Sequence, residues 1–228
     1  MLGKIISTSF FLLAFSLSQA QDSTKPAKQK KEPKPGIGLG IKAGTNFANV
    51  TNASDISSSS TNGFLVGAFF APGGGGKQVL GFRTEFIYSK QGYNFKDGAT
   101  TGSVKLDYIL MPQLMTINIT RFFEIHLGMQ IAFLINASSD SSQPSIPNNP
   151  YSDIMDYYNR FDYGFAGGVQ VHPILGLFIG ARYNISFSNL YSSSESSGAP
   201  LPPFIPGASS GDPNFKNNVV QLYAGWRF

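Results

Sequence analysis

Residues 123–135 read Phe-Glu-Ile-His-Leu-Gly-Met-Gln-Ile-Ala-Phe-Leu-Ile, and a large apolar side chain recurs at every second position. One face is wholly apolar and holds Phe123, Ile125, Leu127, Met129, Ile131, Phe133 and Ile135. The opposite face holds Glu124, His126, Gly128, Gln130 and Ala132. This alternation predicts a β-strand with one apolar and one polar or small face.

The same two-residue period marks further segments of the chain, and eight strands are predicted in all. They span residues 36–50, 63–72, 78–95, 103–118, 123–135, 161–172, 177–190 and 217–228. Their connections alternate between long polar loops and short turns. An even number of strands joined in this way is typical of outer-membrane barrels. We therefore expect an all-β fold, an eight-stranded antiparallel up-and-down transmembrane β-barrel, over residues 36–228.

The strands of a soluble barrel of the lipocalin type would also show alternating apolar and polar residues, with the apolar face turned inward. Two features favour the membrane. The polar face consists mainly of Gly, Asn, Ser and Gln, whereas a soluble exterior would carry many Lys and Glu. The aromatic side chains cluster toward the predicted strand ends, as interfacial girdles require. A soluble lipocalin-like binder remains the less favoured alternative.

The first twenty residues have the pattern of a cleavable export signal. A basic start at Lys4 precedes an apolar stretch that ends in Ser18-Gln19-Ala20. This predicts a signal peptide over residues 1–20, cleaved between Ala20 and Gln21, and export through the Sec pathway. A membrane anchor is the alternative, but the apolar stretch is shorter than the roughly 20 residues that a spanning helix needs. The sequence contains no Cys, which excludes a lipid anchor on an N-terminal Cys.

Residues 21–35 are rich in Lys and Pro, a composition that indicates an extended, disordered linker. The formal net charge of the chain is +4, and the basic residues of this segment account for it. Since the remainder is close to neutral, we expect no nucleic-acid partner. In an outer-membrane barrel the linker would lie in the periplasm.

The inner faces of the predicted strands carry charged and polar side chains at separate places along the chain. The residues assigned to the lumen are Lys42, Arg83, Glu85, Lys105, Asp107, Glu124, His126, Asp162, Gln170, Arg182 and Arg227. A barrel of eight strands is filled by its own side chains, and an unpaired charge there would be costly. We therefore expect ion pairs that plug the lumen, with a narrow ion path as the alternative.

Enzymatic chemistry has little support in the sequence, and we expect no catalytic residues. Of the two histidines, His126 is predicted to face the lumen and His172 to lie beside a turn. Neither has a Ser and a carboxylate at a recognisable spacing. The Asp residues of the long loops do not match a calcium-binding loop, so no metal or cofactor is expected. A lipid-modifying enzyme remains the less favoured alternative.

Several stretches resemble the PorT-like outer-membrane β-barrel family across residues 36–228. They are Gly40–Phe47 (GIKAGTNF), Glu85–Gly92 (EFIYSKQG), Leu106–Pro112 (LDYILMP), Gly180–Tyr183 (GARY) and the terminal aromatic residue. The resemblance implies an eight-stranded outer-membrane barrel. Its namesake takes part in protein secretion and gliding, which implies a secretion or transport component as one possible role. Trp226 and Phe228 are similar to the C-terminal signal that barrel-assembly machinery reads.

The partners expected from the sequence are outer-membrane lipid, the barrel-assembly machinery and a protein bound by the long loops 136–160 and 191–216. Loops carry much of the binding function of rigid scaffolds. The sequence thus favours a structural or interaction scaffold in the outer membrane. A component of a secretion or transport machinery is the alternative.

Overall fold

The computed structural model describes residues 38–51, 59–72, 79–97, 100–141, 154–192 and 215–228. These residues form eight antiparallel strands and a short 3-10 turn at Met155–Tyr157. The strands are β1 (Gly38–Thr51), β2 (Ser59–Ala71), β3 (Leu80–Asp97), β4 (Thr100–Asn118), β5 (Phe123–Ser141), β6 (Phe161–Val171), β7 (Leu177–Ser186) and β8 (Lys216–Arg227). Each strand pairs with the next, and β8 pairs with β1 to close a barrel. The predicted fold class is confirmed.

The two ends of the barrel differ, and we name them for their connections. The turn end holds the beginning of β1 and the short connections that follow β2, β4 and β6. The loop end holds the two longest connections, which follow β5 and β7, and those after β1 and β3. The predicted long loop between β3 and β4 is wrong, because both strands continue until only two residues, 98 and 99, separate them. Strands β3, β4 and β5 are 18, 19 and 19 residues long, whereas β6 and β7 have 11 and 10 residues. The three long strands therefore project beyond their neighbours at the loop end.

The outer surface carries a continuous belt of large apolar side chains. Every strand contributes exposed members, among them Ile41, Val66, Phe86, Met115, Met129, Val169, Tyr183 and Leu222. Proteins surrounded by water rarely expose contiguous apolar surface on this scale. The belt thus has the composition of a surface that faces lipid. No helix among the described residues is long and apolar enough to cross a membrane.

The inner and outer faces of β4 are opposite to those predicted. Leu106 and Tyr108 point into the barrel, whereas Lys105 is exposed on the outer surface. Asp107 is buried, but it lies beside outward-facing groups: the Nζ atom of Lys90 is 3.9 Å away, and Asn136 Nδ2 donates to it at 3.2 Å. The assignment of Lys105 and Asp107 to the lumen is therefore wrong.

The reason for this error lies in the sequence of β4. Both faces of β4 carry apolar residues, so alternation alone does not identify the inner one. Alternation within β4 is unbroken, since Val104, Leu106, Tyr108 and Leu110 are all buried inside. The register shift between Asp107 and Tyr108 places its extra residue, Ile135, on β5. The extra residue reverses the alternation of β5, whose inward positions change from Leu134 to Ala137 and Ser139.

The predicted loop 136–160 is wrong in its first part. Asn136–Ser141 continues β5 and pairs with β4, where Lys105 lies opposite Ser138 and Gly102 opposite Ser141. The polar composition of this stretch favours a loop, but pairing with the long strand β4 overrides that preference. The predicted signal peptide 1–20 with Ala20 and Gln21, the linker 21–35, and residues 142–153 and 193–214 of the two long loops lie outside the described residues.

Gly44 lies on the inner face of β1, directly against β8. A Cβ atom at this position would lie 2.0 Å from the carbonyl oxygen of Leu222 and 2.7 Å from the Cα atom of Tyr223. Both neighbours are backbone atoms of the strand that closes the barrel, so neither can move without disturbing the pairing. Close backbone approach is a common reason for glycine within a strand.

Gly44→Val should therefore weaken closure of the barrel between β1 and β8. Overpacking of this kind costs about 1–3 kcal/mol or more. We expect the folded, fast-migrating form to decrease on unheated gels in detergent, compared with the wild type. Ala43→Val is the control because Ala43 is the adjacent outward residue and faces the belt. Equal folded fractions in the two variants would contradict this account of Gly44.

Candidate functional site: a lumen filled in three layers

The interior of the barrel changes in chemistry from the turn end to the loop end. Near the turn end lies the charge cluster, defined as Lys42, Arg83, Glu85, Glu124, His126, Arg182 and Arg227. Amide and hydroxyl side chains follow as the polar layer, which includes Asn46, Ser89, Gln91, Asn217 and Gln221. At the loop end, tyrosines and apolar residues form the aromatic cap. Each layer is built from the inner faces of several strands.

Glu85 is the centre of the charge cluster. Its carboxylate accepts a hydrogen bond from Lys42 Nζ at 2.6 Å and two from Arg182, at 2.8 and 2.9 Å. Arg83, two residues away on the same inner face of β3, places Nε 3.1 Å from the same carboxylate. These four side chains are at most 3% exposed. Such charge-assisted bonds are short and strong because both partners are ionised.

Arg83 links this centre to a second carboxylate, Glu124 on β5. Arg83 Nη2 lies 3.0 Å from Glu124 Oε1, and Arg227 Nη2 lies 3.9 Å from Glu124 Oε2. His172, near the turn end, is 3.7 Å from the same carboxylate. The cluster therefore connects β1, β3, β5, β7 and β8 across the lumen.

His126 is buried within the cluster and acts as a hydrogen-bond acceptor. Arg182 Nε donates to its Nε2 atom at 3.3 Å, and the hydroxyl of Tyr223 lies 3.2 Å from the same nitrogen. Because an arginine N–H can only donate, His126 Nε2 carries its lone pair and accepts. His126 therefore fills space and accepts hydrogen bonds in its neutral form.

The charge cluster contains more positive than negative charge. Lys42, Arg83, Arg182 and Arg227 face only the two carboxylates of Glu85 and Glu124 within the cluster. Aromatic rings offset part of this excess. Lys42 Nζ lies 4.2 Å from the centre of the Tyr223 ring, and the guanidinium groups of Arg83 and Arg227 lie 5.3 and 5.7 Å from that of Phe69. Cations at these distances are attracted to the ring face.

The polar layer consists of amides and hydroxyls that bond across the barrel. Asn46 Nδ2 donates to Ser89 Oγ at 2.9 Å, and Gln221 Nε2 donates to Asn46 Oδ1 at 3.2 Å. Asn217 Nδ2 donates to Gln91 Oε1 at 2.5 Å. These bonds join β8, β1 and β3 above the charge cluster. They fill the side of the lumen next to β8, β1 and β3 with buried polar side chains.

The aromatic cap closes the loop end. The hydroxyl of Tyr93 lies 2.7 Å from that of Tyr191 and 3.0 Å from that of Tyr158. The ring of Phe215 packs edge-on against Tyr191 with the ring centres 5.4 Å apart. Ile154 and Leu190 are buried beside these rings. Segments before β6 and after β7 therefore fold inward over the mouth of the barrel.

Of the residues predicted to face the lumen, the structure brings Lys42, Arg83, Glu85, Glu124, His126, Arg182 and Arg227 together. Gln170 lies next to them and is 3.2 Å from His172. Asp162 also faces inward but lies at the level of the polar layer, where it accepts from Ser186 and Ser188. Lys105 and Asp107 lie outside the lumen, as described above.

Sequence reasoning missed the aromatic cap altogether. Tyr158 and Tyr191 lie at the edges of stretches rich in Ser, Asn and Pro, which predict loops. The signal available was the presence of large aromatic residues in otherwise polar segments. Burial raises the pKa of both tyrosine hydroxyls well above their ordinary value of 10.0, because the charged phenolate is poorly solvated there.

A closed antiparallel barrel with an apolar belt outside and polar side chains inside defines a membrane-spanning β-barrel protein. A family model described as outer membrane protein beta-barrel domain matches residues 19–192, more than half of the chain. The chain belongs to this family, and the protein is an outer-membrane β-barrel protein of the bacterial outer membrane. The match ends before β8, the strand that closes the barrel.

The chain is also similar, at 15% sequence identity or below, to several proteins of known structure. Ail, the attachment invasion locus protein of Yersinia pestis, is 15% identical, with 84% of this chain and 98% of that chain covered and a TM-score of 0.45. Neisserial surface protein A is 14% identical, with coverages of 83% and 97% and a TM-score of 0.46. OprG from Pseudomonas aeruginosa is 11% identical, with coverages of 86% and 97% and a TM-score of 0.40. No curated protein matches the chain.

The raised pKa values of Tyr158 and Tyr191 predict that the cap loses stability in strong alkali. Because each hydroxyl has a higher pKa folded than unfolded, its contribution is complete below pH 10 and is lost as the pH rises further. We expect the thermal midpoint in detergent to fall between pH 10 and 12. The fall of the thermal midpoint should be smaller in a Tyr158→Phe/Tyr191→Phe variant. If the midpoint falls equally with pH in the variant and in the wild type, this role of the cap is refuted.

Proposed function

We propose that this protein is a non-conducting scaffold of the outer membrane that binds a partner at its loop end. The observation that carries the proposal is the filled lumen, which is occupied by the charge cluster, the polar layer and the aromatic cap. A diffusion pore needs a continuous path for water. Here the side chains of Glu85, Arg83 and Arg182 meet across the interior and are at most 2% exposed.

The turn end of the barrel faces the periplasm in this proposal. Outer-membrane barrels have short periplasmic turns and longer outer loops. The beginning of β1 at Gly38 lies at the turn end, so residues 21–35 would extend into the periplasm. Trp226 and Phe228 are also at this end and are exposed, which suits recognition by the barrel-assembly machinery.

The surface proposed for partner binding is formed where β3, β4 and β5 project beyond the other strands. A groove of about 490 Å³ lies there, lined by Ser59, Asn94, Phe95, Lys96, Thr101, Gly102, Ser103 and Asp140. Its hydroxyl, amide and charged groups suit hydrogen bonding to a polar protein surface. The groove includes part of the segment 136–160 that the sequence predicts as a binding region. A rigid sheet reduces the entropy cost of presenting these groups.

The proposal includes no enzymatic activity. His126 has its Nε2 atom engaged by Arg182 and Tyr223 inside the lumen, where a lipid substrate has no access. His172 lies against Gln170 and Glu124 at the turn end. Each histidine is thus used in the packing of the barrel interior.

The second candidate function is a component of a secretion or transport machinery. Assignment of the chain to the PorT-like family is part of this second proposal. One observation favours it. The turn after β6 exposes Ile174 and Leu175, the latter at 97%. Apolar side chains exposed in a turn are suited to contact with another protein on the periplasmic side.

The first experiment tests whether the lumen is closed. Wild-type protein in planar bilayers should show a conductance near zero. Arg83→Ala should lower the free energy of unfolding by about 3–5 kcal/mol, because the buried Glu124 loses the guanidinium 3.0 Å away and keeps only that of Arg227 at 3.9 Å. Its conductance should remain near zero since the aromatic cap is intact. Unfolding can be followed in detergent by the fluorescence of Trp226, the one Trp of the sequence.

Arg160→Ala is the matched control for this change. Arg160 is 3.9 Å from Asp156 in a pair whose side chains are 70% and 84% exposed. Removal of such a pair costs about 0–1 kcal/mol. A clear, stable conducting state in the wild type or in Arg83→Ala would overturn the closed-lumen proposal.

A second experiment tests which end binds a partner. The photo-cross-linking residue p-benzoylphenylalanine is introduced in cells at Ser103 in the loop-end groove, at Leu175 in the turn, or at the lipid-facing Thr45. The scaffold proposal expects a discrete protein adduct at Ser103 and none at Thr45. An adduct confined to Leu175 would instead favour the machinery component and contradict binding at the loop end.

A further inference from the structure

A small cavity lies inside the barrel at the level of the polar layer. It has a volume of about 10 Å³, which is room for one water molecule or one small ion. The polar groups around it include Tyr108, Gln130, Asp162, Asn184 and Ser186, contributed by four neighbouring strands from β4 to β7. The aromatic cap lies on one side of this level and the charge cluster on the other.

Three buried side chains at this cavity have polar atoms without a hydrogen-bond partner among the described residues. These atoms are Oδ1 and Nδ2 of Asn184, Oε1 of Gln130 and the hydroxyl of Tyr108. Asn184 is 3% exposed, Tyr108 1% and Gln130 9%. Buried polar atoms are nearly always paired in folded proteins, and each exception calls for a physical reason. Three of them around one cavity indicate a bound species that they contact.

Asp162 supplies a negative charge at the same cavity. Its carboxylate accepts hydrogen bonds from the hydroxyls of Ser186 and Ser188. Within the part of the chain that the structure describes, Asp162 forms no ion pair with a Lys, Arg or His side chain. Arg182 is two residues before Asn184 on the inner face of β7, but its guanidinium is committed to Glu85. A carboxylate inside a barrel without a nearby countercharge is energetically unfavourable.

We propose that this cavity binds one sodium ion through Asp162 and the oxygen atoms of Asn184, Gln130 and Tyr108. A cation matches both features at once, because it neutralises the carboxylate and is coordinated by the otherwise unpaired oxygens. The small volume suits an ion of this size. The inference is independent of whether the loop end binds a partner.

The number of carboxylates favours a monovalent over a divalent cation. Calcium sites use six to eight oxygen ligands and commonly several carboxylates. This cavity has one carboxylate, and the described residues contain no group of three or more His, Cys, Asp or Glu side chains placed to hold a metal ion. A water molecule would satisfy the unpaired atoms but would leave the charge of Asp162 uncompensated.

The test compares sodium chloride with choline chloride at equal ionic strength, on the full mature chain in detergent with a chelator present. Choline is too large for the cavity. We expect sodium to raise the thermal midpoint by about 3–5 °C in a saturable manner, since a ligand that binds only the folded state stabilises it. Broadening of the sodium-23 resonance by the protein provides a second, direct measurement.

Asp162→Asn should abolish both sodium effects, and Asp156→Asn is the control because the Asp156 side chain is 84% exposed and lies outside the lumen. If Asp162→Asn does not fold, Asn184→Ala keeps the carboxylate and removes a ligand, and should raise the half-saturating sodium concentration at least fivefold. Equal midpoints in sodium and choline for the wild type would overturn the proposal and indicate a water molecule. So would a sodium effect that survives unchanged in both lumen variants.

Discussion

The carboxylate of Glu85 is the point at which the barrel is held together from within. Lys42, Arg83 and Arg182 all direct their charged groups to it, so that β1, β3 and β7 are joined across the lumen and not only through neighbouring strands. These charges are costly to bury, and their mutual bonds offset that cost. They also define the register, because a slip by one residue would turn the charged groups toward lipid.

From this centre the interior changes in a way that follows the length of the strands. Charged groups occupy the section near the turn end, and amides occupy the middle. At the loop end, β3, β4 and β5 continue past the shorter strands and bury Val104, Leu106 and Tyr93 with the aromatic cap. The barrel therefore has two kinds of core. One is polar and held by directed bonds, and the other is apolar and held by packing.

Much of this arrangement was predictable from alternation, and the exceptions have clear causes. Glu85 and Arg182 were placed on the inner face because large apolar residues flank them on the outer one. Lys105 was misplaced since both faces of β4 carry apolar residues, and the face that holds its charged residues points outward. Tyr158 and Tyr191 were missed because their contact joins segments 33 residues apart. The cavity beside Asp162 is lined by residues from several strands, so the sequence pattern of any one strand does not indicate it.

The pairing of β8 with β1 has a consequence for the order of assembly. Thr51 and Lys216 lie opposite each other although 165 residues separate them along the chain. Closing so long a loop carries a large entropy cost, and contacts between distant segments form slowly. Until the last strand arrives, β1 and β7 each present an unpaired edge that could pair with another chain. The nascent barrel must be shielded from such pairing until β8 is delivered.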